Sequence, residues 1–284
     1  AIEAFKKAIS LNPNQAEAHY NLGNSFDYQG KTDDAIKSFK KAISINPNHF
    51  KAYNNLGNAL KNQNKLDEAI KSYSKALSIK PDFAAARSQK LYQQAQISDW
   101  PAIEQDRSFV IDLGIIGQYI PPLSILSLED APARHRLRSE NYARQMFTQA
   151  ALPLPAKPAT MPQRLRIGYF SGDYTEHPVA YLISKLLEKH NRTAFEVFGY
   201  SLHESSQSDL RQRLINAFDL FEDVKGLSDR DVALRARQDN IDIAIDLMGY
   251  TKHSRTGIFA YRAAPIQINY LGYPGTMGAN FMDY

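Results

Sequence analysis

Ala35-Ile36-Lys37-Ser38-Phe39-Lys40-Lys41-Ala42-Ile43-Ser44-Ile45-Asn46-Pro47 has a gapless counterpart on either side, residues 1–13 before it and residues 69–81 after it. The closing prolines, Pro13, Pro47 and Pro81, fall 34 residues apart. Between them, Tyr20-Asn21-Leu22-Gly23-Asn24 recurs as Asn54-Asn55-Leu56-Gly57-Asn58 at the same step. Two helices per period, ended by a proline, is the spacing of tetratricopeptide repeats. Each small residue has a packing reason: Gly23, Gly57, Ala8 and Ala42 sit where paired helices come close, and Phe5, Phe39 and Tyr73 fill the space between. The prolines stop one helix and start the next, because proline lacks the amide hydrogen and clashes with a preceding turn.

Such units need neighbours to bury their faces, and only about two and a half are present. The next helix is predicted over residues 83–96, with Lys90 where the repeats carry Leu22 and Leu56, which reads as a departure towards a capping helix. Asn21 and Asn55 occupy equivalent positions on the first helix of each unit, the helix that lines a concave surface. A primary amide donates and accepts, so a ladder of asparagines can hold an extended peptide backbone without reading its side chains. The alternative is two solvent-facing polar residues. On the repeats alone, the chain reads as a protein-docking scaffold.

Composition narrows the rest. The chain has 284 residues, a hydrophobic share of 43%, a charged share of 23% and a net charge of +4, the profile of a globular protein. The charges alternate in sign, which does not point to nucleic acid. Cysteine is absent, which excludes disulfides, thiolate metal sites and a cysteine nucleophile and fits a reducing compartment, the cytoplasm. No apolar run approaches the length of a membrane helix. The chain begins without methionine inside a helical pattern and ends after a glycine-rich segment, so a longer parent is expected, truncated at both ends.

Residues 97–150 show helical stretches without a repeat, including Trp100-Pro101 opening one helix and a basic helix over 133–149. Between these lies the proline-broken run Tyr119-Ile120-Pro121-Pro122-Leu123. Four prolines between positions 153 and 162 mark an extended linker. The expected division is 1–97 for the repeats with their capping helix, 98–163 for a helical connector and linker, and 164–284 for a further domain.

From residue 165 strands and helices alternate: strands over 165–171, 195–202, 218–223, 241–247 and 265–271, helices over 179–189, 206–217 and 229–238. Alternation of this kind builds a parallel sheet with helices on both faces, and ligands bind beyond the carboxyl ends of its strands. After the first strand comes Ser171-Gly172-Asp173-Tyr174-Thr175-Glu176-His177-Pro178. His177 sits at the start of a helix, whose amino end disfavours an imidazolium, so the ring is expected neutral and able to accept a proton. Asp173 is placed to orient it or relay the proton; the alternative is a hydrogen-bonded loop pair. After the last strand, Leu271-Gly272-Tyr273-Pro274-Gly275-Thr276-Met277-Gly278 lets backbone amides approach a ligand closely. It matches neither the dinucleotide fingerprint nor the P-loop. Asp229-Arg230-Asp231 has the spacing of a metal motif but falls at a helix start, where aspartates cap.

The run from Leu165 to His177-Pro178, with Phe195-Glu196-Val197-Phe198, Gly249-Tyr250-Thr251, Ala264-Pro265-Ile266-Gln267, the glycine bend and Phe281-Met282-Asp283-Tyr284, resembles the catalytic region of O-linked N-acetylglucosamine transferases and their SPINDLY-like plant and bacterial relatives. The order of repeats, connector and α/β domain is similar too. The resemblance implies an α-helical tetratricopeptide solenoid followed by an α/β Rossmann-like domain, the amino-terminal half of a two-Rossmann-domain glycosyltransferase. It implies an inverting, metal-independent enzyme without a cofactor, moving N-acetylglucosamine from UDP-N-acetylglucosamine to Ser or Thr of a protein or peptide acceptor. By resemblance, His177 is the active-site histidine with Asp173 as relay, Leu271, Gly272 and Val179 line the donor-sugar pocket, and Asn21 and Asn55 belong to the acceptor-peptide ladder. No metal site, nucleic acid or membrane partner is implied, and the oligomeric state is left open. Three departures stand out. Pro121-Pro122-Leu123 replaces a second active-site histidine; Val179 replaces a threonine, which bears on donor identity because plant relatives use GDP-fucose; and the second Rossmann domain lies beyond Tyr284, so this chain alone is expected to be inactive.

Overall fold

The computed structural model describes residues 1–153, 162–203 and 207–284; most of the proline-rich run and the start of the helix expected at 206 lie outside the described residues. Two compact units are present, Ala1–Arg134 and His135–Tyr284.

The first unit is helical. α1 (Ile2–Leu11), α2 (Ala16–Tyr28), α3 (Thr32–Ile45), α4 (Phe50–Asn62), α5 (Leu66–Ile79) and α6 (Ala84–Gln96) follow the 34-residue period. The close approaches are real. A Cβ on Gly23 would lie 2.6 Å from the Phe39 ring, and one on Gly57 2.5 Å from the Tyr73 ring, with both rings fully buried. The turns repeat as well: Gly30, Asn64 and Ser98, each 34 apart, all have positive φ. α6 therefore keeps the repeat register, and α7 (Trp100–Gln105) begins where a second helix of a third unit belongs, capped by Asp99, before stopping after six residues. α8 (Arg107–Val110) follows directly. The short α7 is why position 90 is not apolar. Asp106, at the α7–α8 junction, turns back onto α6 and takes Arg87 at 2.8 Å and Lys90 at 2.7 Å. Residues 119–126 form an apolar loop with one 3₁₀ turn, Pro122–Ser124, over a small core of Leu91, Ile103, Val110, Leu113, Ile120 and Ile125.

The second unit carries most of α9 (Pro132–Met146) and a five-stranded sheet. Its strands are β1 (Leu165–Ser171), β2 (Phe195–Ser201), β3 (Leu220–Asp223), β4 (Ile243–Asp246) and β5 (Ile266–Asn269). All pairings are parallel, in the order β3-β2-β1-β4-β5. Alternation along β1 explains the layers. Ile167 and Tyr169 join Val197 beneath α10 (Pro178–Lys189) and α11 (Asp209–Asn216), through Ile183, Leu187, Leu210 and Leu214. Phe170, with Phe198 and Tyr200, packs on α12 (Asp229–Gln238) and α13 (Gly257–Ala260), through Val232, Ala236, Ile258 and Phe259. Among the described residues no helix is long and apolar enough to cross a membrane.

Candidate active site

β1 connects outward to β2 on one side, and the chain returns on its other side as β4. Loops after β1 and β4 therefore leave the sheet towards opposite faces and open a crevice at its carboxyl edge, the place where such sheets bind ligands. The strand ends there deliver Gly172 to His177, His203, Asp246 to His253, and Leu271 onward.

His177 is the residue preceding α10, and its Nδ1 accepts the Val179 N–H at 3.3 Å. Asp173 Oδ2 lies 3.6 Å from the same nitrogen, with side-chain exposures of 42% for His177 and 25% for Asp173. The ring is thus at the rim, open to solvent, and not turned into the core. Val179 contributes a backbone N–H to this arrangement; its side chain, 8% exposed, belongs to the core cluster that also holds Leu247.

Leu247 links the two halves of the expected site. A Cβ on Gly272 would lie 1.7 Å from the Leu247 carbonyl oxygen, so only glycine fits at this crossing. The preceding Leu271 takes φ +72°, a left-handed conformation that costs a non-glycine residue about 1–2 kcal/mol. Behind the bend, Tyr250 packs edge-on to Tyr142 and Tyr273, and its hydroxyl donates to the Met277 carbonyl at 2.8 Å. Gln267, fully buried, donates to the Phe259 and Phe281 carbonyls and accepts the Ala263 N–H. With the Asp283 N–H to Gln267 carbonyl bond at 2.8 Å, that side chain ties β5 to the closing Phe281-Met282-Asp283 segment, where Asp283 pairs with Arg262. A groove of about 610 Å³ lies between Arg136 and Glu140 of α9 and residues 275–280; neither His177 nor Asp173 lines it.

Two histidines at the crevice, His203 and His253, escaped the sequence reading, while Asp246 was legible as the residue after the fourth strand but without a role. His203 follows β2, and a Cβ on Gly172 would meet its ring at 2.1 Å. Its Nε2 donates to the His253 carbonyl at 2.6 Å. Burial lowers the His253 pKa, with Lys252 and His203 adding to the effect and Asp173 opposing it. Asp246 ends β4 fully buried, and burial pushes its carboxyl up to about 6 against the amide bonds it accepts. The signal for His203 was its place directly after a strand.

In the first unit, the Asn55 amide donates to Asn24 at 2.8 Å and accepts from Asn54 at 3.0 Å, whereas Asn21 is half-buried. Asp229 of the metal-like spacing pairs with Arg255 at 2.8 Å, and Asp231 accepts from Ser228 Oγ at 2.7 Å while its own N–H caps back onto that oxygen.

The profile described as Glycosyl transferase family 41 matches residues 129–284. The chain belongs to that family. Tetratricopeptide repeat profiles match residues 1–27, 16–49 and 50–83, so this family 41 chain has its α/β region preceded by repeats. Residues aligned with the probable UDP-N-acetylglucosamine–peptide N-acetylglucosaminyltransferase SEC of Arabidopsis thaliana are 39% identical over 58% of this chain and 17% of that protein. The corresponding Caenorhabditis elegans enzyme is 44% identical over 43% of the chain and 11% of its own length. A variant of the Thermobaculum terrenum O-GlcNAc transferase superposes with a TM-score of 0.58 at 28% identity, over all of this chain and 49% of that one. The chain thus spans less than a fifth of these curated relatives and about half of the Thermobaculum terrenum structure.

Proposed function

We propose that the parent protein transfers a sugar from a nucleotide donor, UDP-N-acetylglucosamine first among them, to Ser or Thr hydroxyls of proteins. The transfer inverts the anomeric centre and uses no metal. Residues 1–284 supply the acceptor side of that reaction and are inactive alone, since the donor nucleotide is held by a second Rossmann domain. The observation that carries the reading is the Asp173–His177 pair at the amino end of α10, in the crevice of a parallel sheet.

The chemistry runs as one displacement. The acceptor oxygen forms a bond to the anomeric carbon as the bond to the diphosphate oxygen breaks; the diphosphate leaves with that electron pair, and the hydroxyl proton passes to His177 Nε2. For Nε2 to be the accepting nitrogen, Nδ1 carries a proton and directs it to Asp173. The negative charge on the departing diphosphate is met by amide N–H groups or side-chain cations. Asp229 and Asp231 are held by Arg255 and Ser228, which supports a route without a metal at that motif. Asn21 and Asn55 serve the acceptor backbone, Asn55 after exchanging its bond to Asn24 for one to the peptide.

The test is radiolabel transfer by the full-length parent from UDP-N-acetylglucosamine and from GDP-fucose, side by side. Transfer from the first and its loss in His177→Ala is the expected result. Transfer from GDP-fucose alone replaces the donor, and transfer from neither leaves the repeats as a docking scaffold. Titration of either donor onto residues 1–284 is expected to give no micromolar binding.

A further inference from the structure

Asp246 closes β4 at the centre of the crevice, 2% exposed. Its Oδ1 accepts two amide bonds, from Met248 at 2.9 Å and from Gly249 at 3.1 Å, and its Oδ2 has no hydrogen-bond partner among the described residues. Capping a turn does not require a charge, because asparagine offers the same oxygen, and an ionised carboxylate in the interior is costly. What the turn does next gives the charge its consequence. Met248 Sδ, buried, accepts the Gly172 N–H at 3.1 Å. Gly172 opens the loop that carries the proposed catalytic pair. Within that loop Asp173 N–H donates to Ser171 Oγ at 2.9 Å, Thr175 N–H to the Asp173 carbonyl at 2.8 Å, and His177 N–H to the Thr175 carbonyl at 2.7 Å. On the other side of the turn, the Leu247 carbonyl packs closely against the Gly272 backbone, and the Asp246 carbonyl accepts the Tyr270 N–H at 2.9 Å.

We propose that Asp246 is a positioning residue: through Met248 it sets the place of the Gly172–His177 loop, and through Leu247 that of the Leu271–Gly272 bend. Hydrogen bonds to an ionised acceptor are roughly twice as strong as neutral ones, so protonation slackens both anchors of the 247–249 turn. A thioether is a weak acceptor, and its bond to Gly172 follows the backbone of residue 248. Around Asp246, the Asn269 amide from β5 donates to its backbone carbonyl at 3.3 Å and favours the ionised carboxyl. The Tyr250 phenol from the following loop is influenced by that charge while donating to the Met277 carbonyl. Burial raises the phenol above its ordinary range, so it stays neutral where Asp246 titrates. The effect on catalysis rests on the transferase reading; the effect on the loop does not.

The experiment labels residues 1–284 with ¹³C-methyl methionine and ¹⁵N and follows spectra from pH 5 to 8. The Met248 methyl and the Gly172 and Gly249 amides are expected to move together, with one midpoint near 6, and to stay flat in Asp246→Asn. Met248→Leu conserves volume and is expected to keep the Gly249 response while abolishing that of Gly172. In the parent, Asp246→Asn is expected to lower kcat by about tenfold or more with both KM values held within about twofold, and to remove the acid limb of the pH–rate profile. A flat Gly172 amide in the unmodified chain, or a Gly172 response that survives Met248→Leu, overturns the inference whatever the transfer assay gives. An intact spectral response with no transfer by the unmodified parent overturns the function and leaves the positioning standing.

Discussion

Replacing Asp246 with asparagine changes the pH dependence of stability in a direction and by an amount that the burial of this one carboxyl fixes. Its pKa stands near 6 in the folded chain against 3.8 for the free group. The folded state therefore binds the proton more tightly, so the group adds stability in acid, and that contribution is lost as pH rises from about 4 through 6. With these two values the linkage relation gives a gain on the order of 1 kcal/mol on going from pH 7.5 to pH 5, and a larger one in the acid limit. Asp246→Asn removes the titration while keeping an oxygen for the Met248 and Gly249 amides. Every other acid titrates alike in both proteins and cancels in the difference. Denaturant unfolding at pH 5, 6 and 7.5 measures it, read by circular dichroism and by fluorescence. Trp100 is the only tryptophan and lies in Ala1–Arg134. Asp246 lies in His135–Tyr284, so the difference is read in the dichroism transition. Equal pH dependence in the two proteins, or a parent that gains stability towards alkaline pH relative to the variant, refutes the reasoning.

Four further outcomes are expected. His177→Ala removes the acceptor for the Val179 N–H and lowers stability by about 0.5–2 kcal/mol, while His177→Asn restores the cap without restoring transfer in the parent; thermal melts and radiolabel counts separate the two effects. Gly272→Ala drives a methyl into the Leu247 carbonyl and is expected to shift the backbone amide signals of residues 247–249 and 271–273 and to lower the melting temperature. In the repeats, Gly57→Ala places a carbon 2.5 Å from the buried Tyr73 ring, an overpacking that costs about 1–3 kcal/mol, read in the Trp100 fluorescence transition. Asp106→Ala leaves Arg87 and Lys90 without their shared carboxylate and costs about 3–5 kcal/mol by the same readout.

How far the sequence speaks depends on whether a residue's partner is set by a period. Gly23 and Gly57 could be assigned to helix contacts because the facing Phe39 and Tyr73 recur at one step, and the coordinates put those rings against them. β1 was legible to the residue, its Ile167 to Phe170 run being buried on both faces; β4 and β5 came out shorter than expected by up to three residues, their ends being set by neighbouring strands. Lys90 was visible as a break in the pattern, but Asp106 was not, because it comes back from a helix end 16 residues away. α13 went unread, as four residues are too few to show a period. At the crevice, Asp173 and His177 were found because one loop carries both. His203, His253 and Asp246 meet that loop only through strand order, which alternating apolar runs do not encode. The short α7 likewise hid a third repeat register that Gly30, Asn64 and Ser98 reveal in their backbone angles.

His177 Nδ1 stands 3.3 Å from the Val179 nitrogen and 3.6 Å from Asp173 Oδ2, and one ring nitrogen cannot accept from the first while donating to the second. When it accepts, the neutral ring carries its proton on Nε2 and is a donor towards substrate oxygen. When it donates to Asp173, Nε2 is free to take the proton of an attacking hydroxyl. The choice between holding substrate and acting as base thus comes down to whether Asp173 closes by about half an ångström, to a normal hydrogen-bond length. Asp173 rides on the loop that begins at Gly172, and Gly172 is tied to the β4 turn by Met248. A rigid turn fixes that approach, whereas a slackened one leaves Val179 as the better partner. On the positioning proposal, then, the role of His177 is decided two bonds away, at a carboxylate that never touches the substrate, and the Asp246→Asn pH–rate profile reads the tautomer of a ring it does not contact.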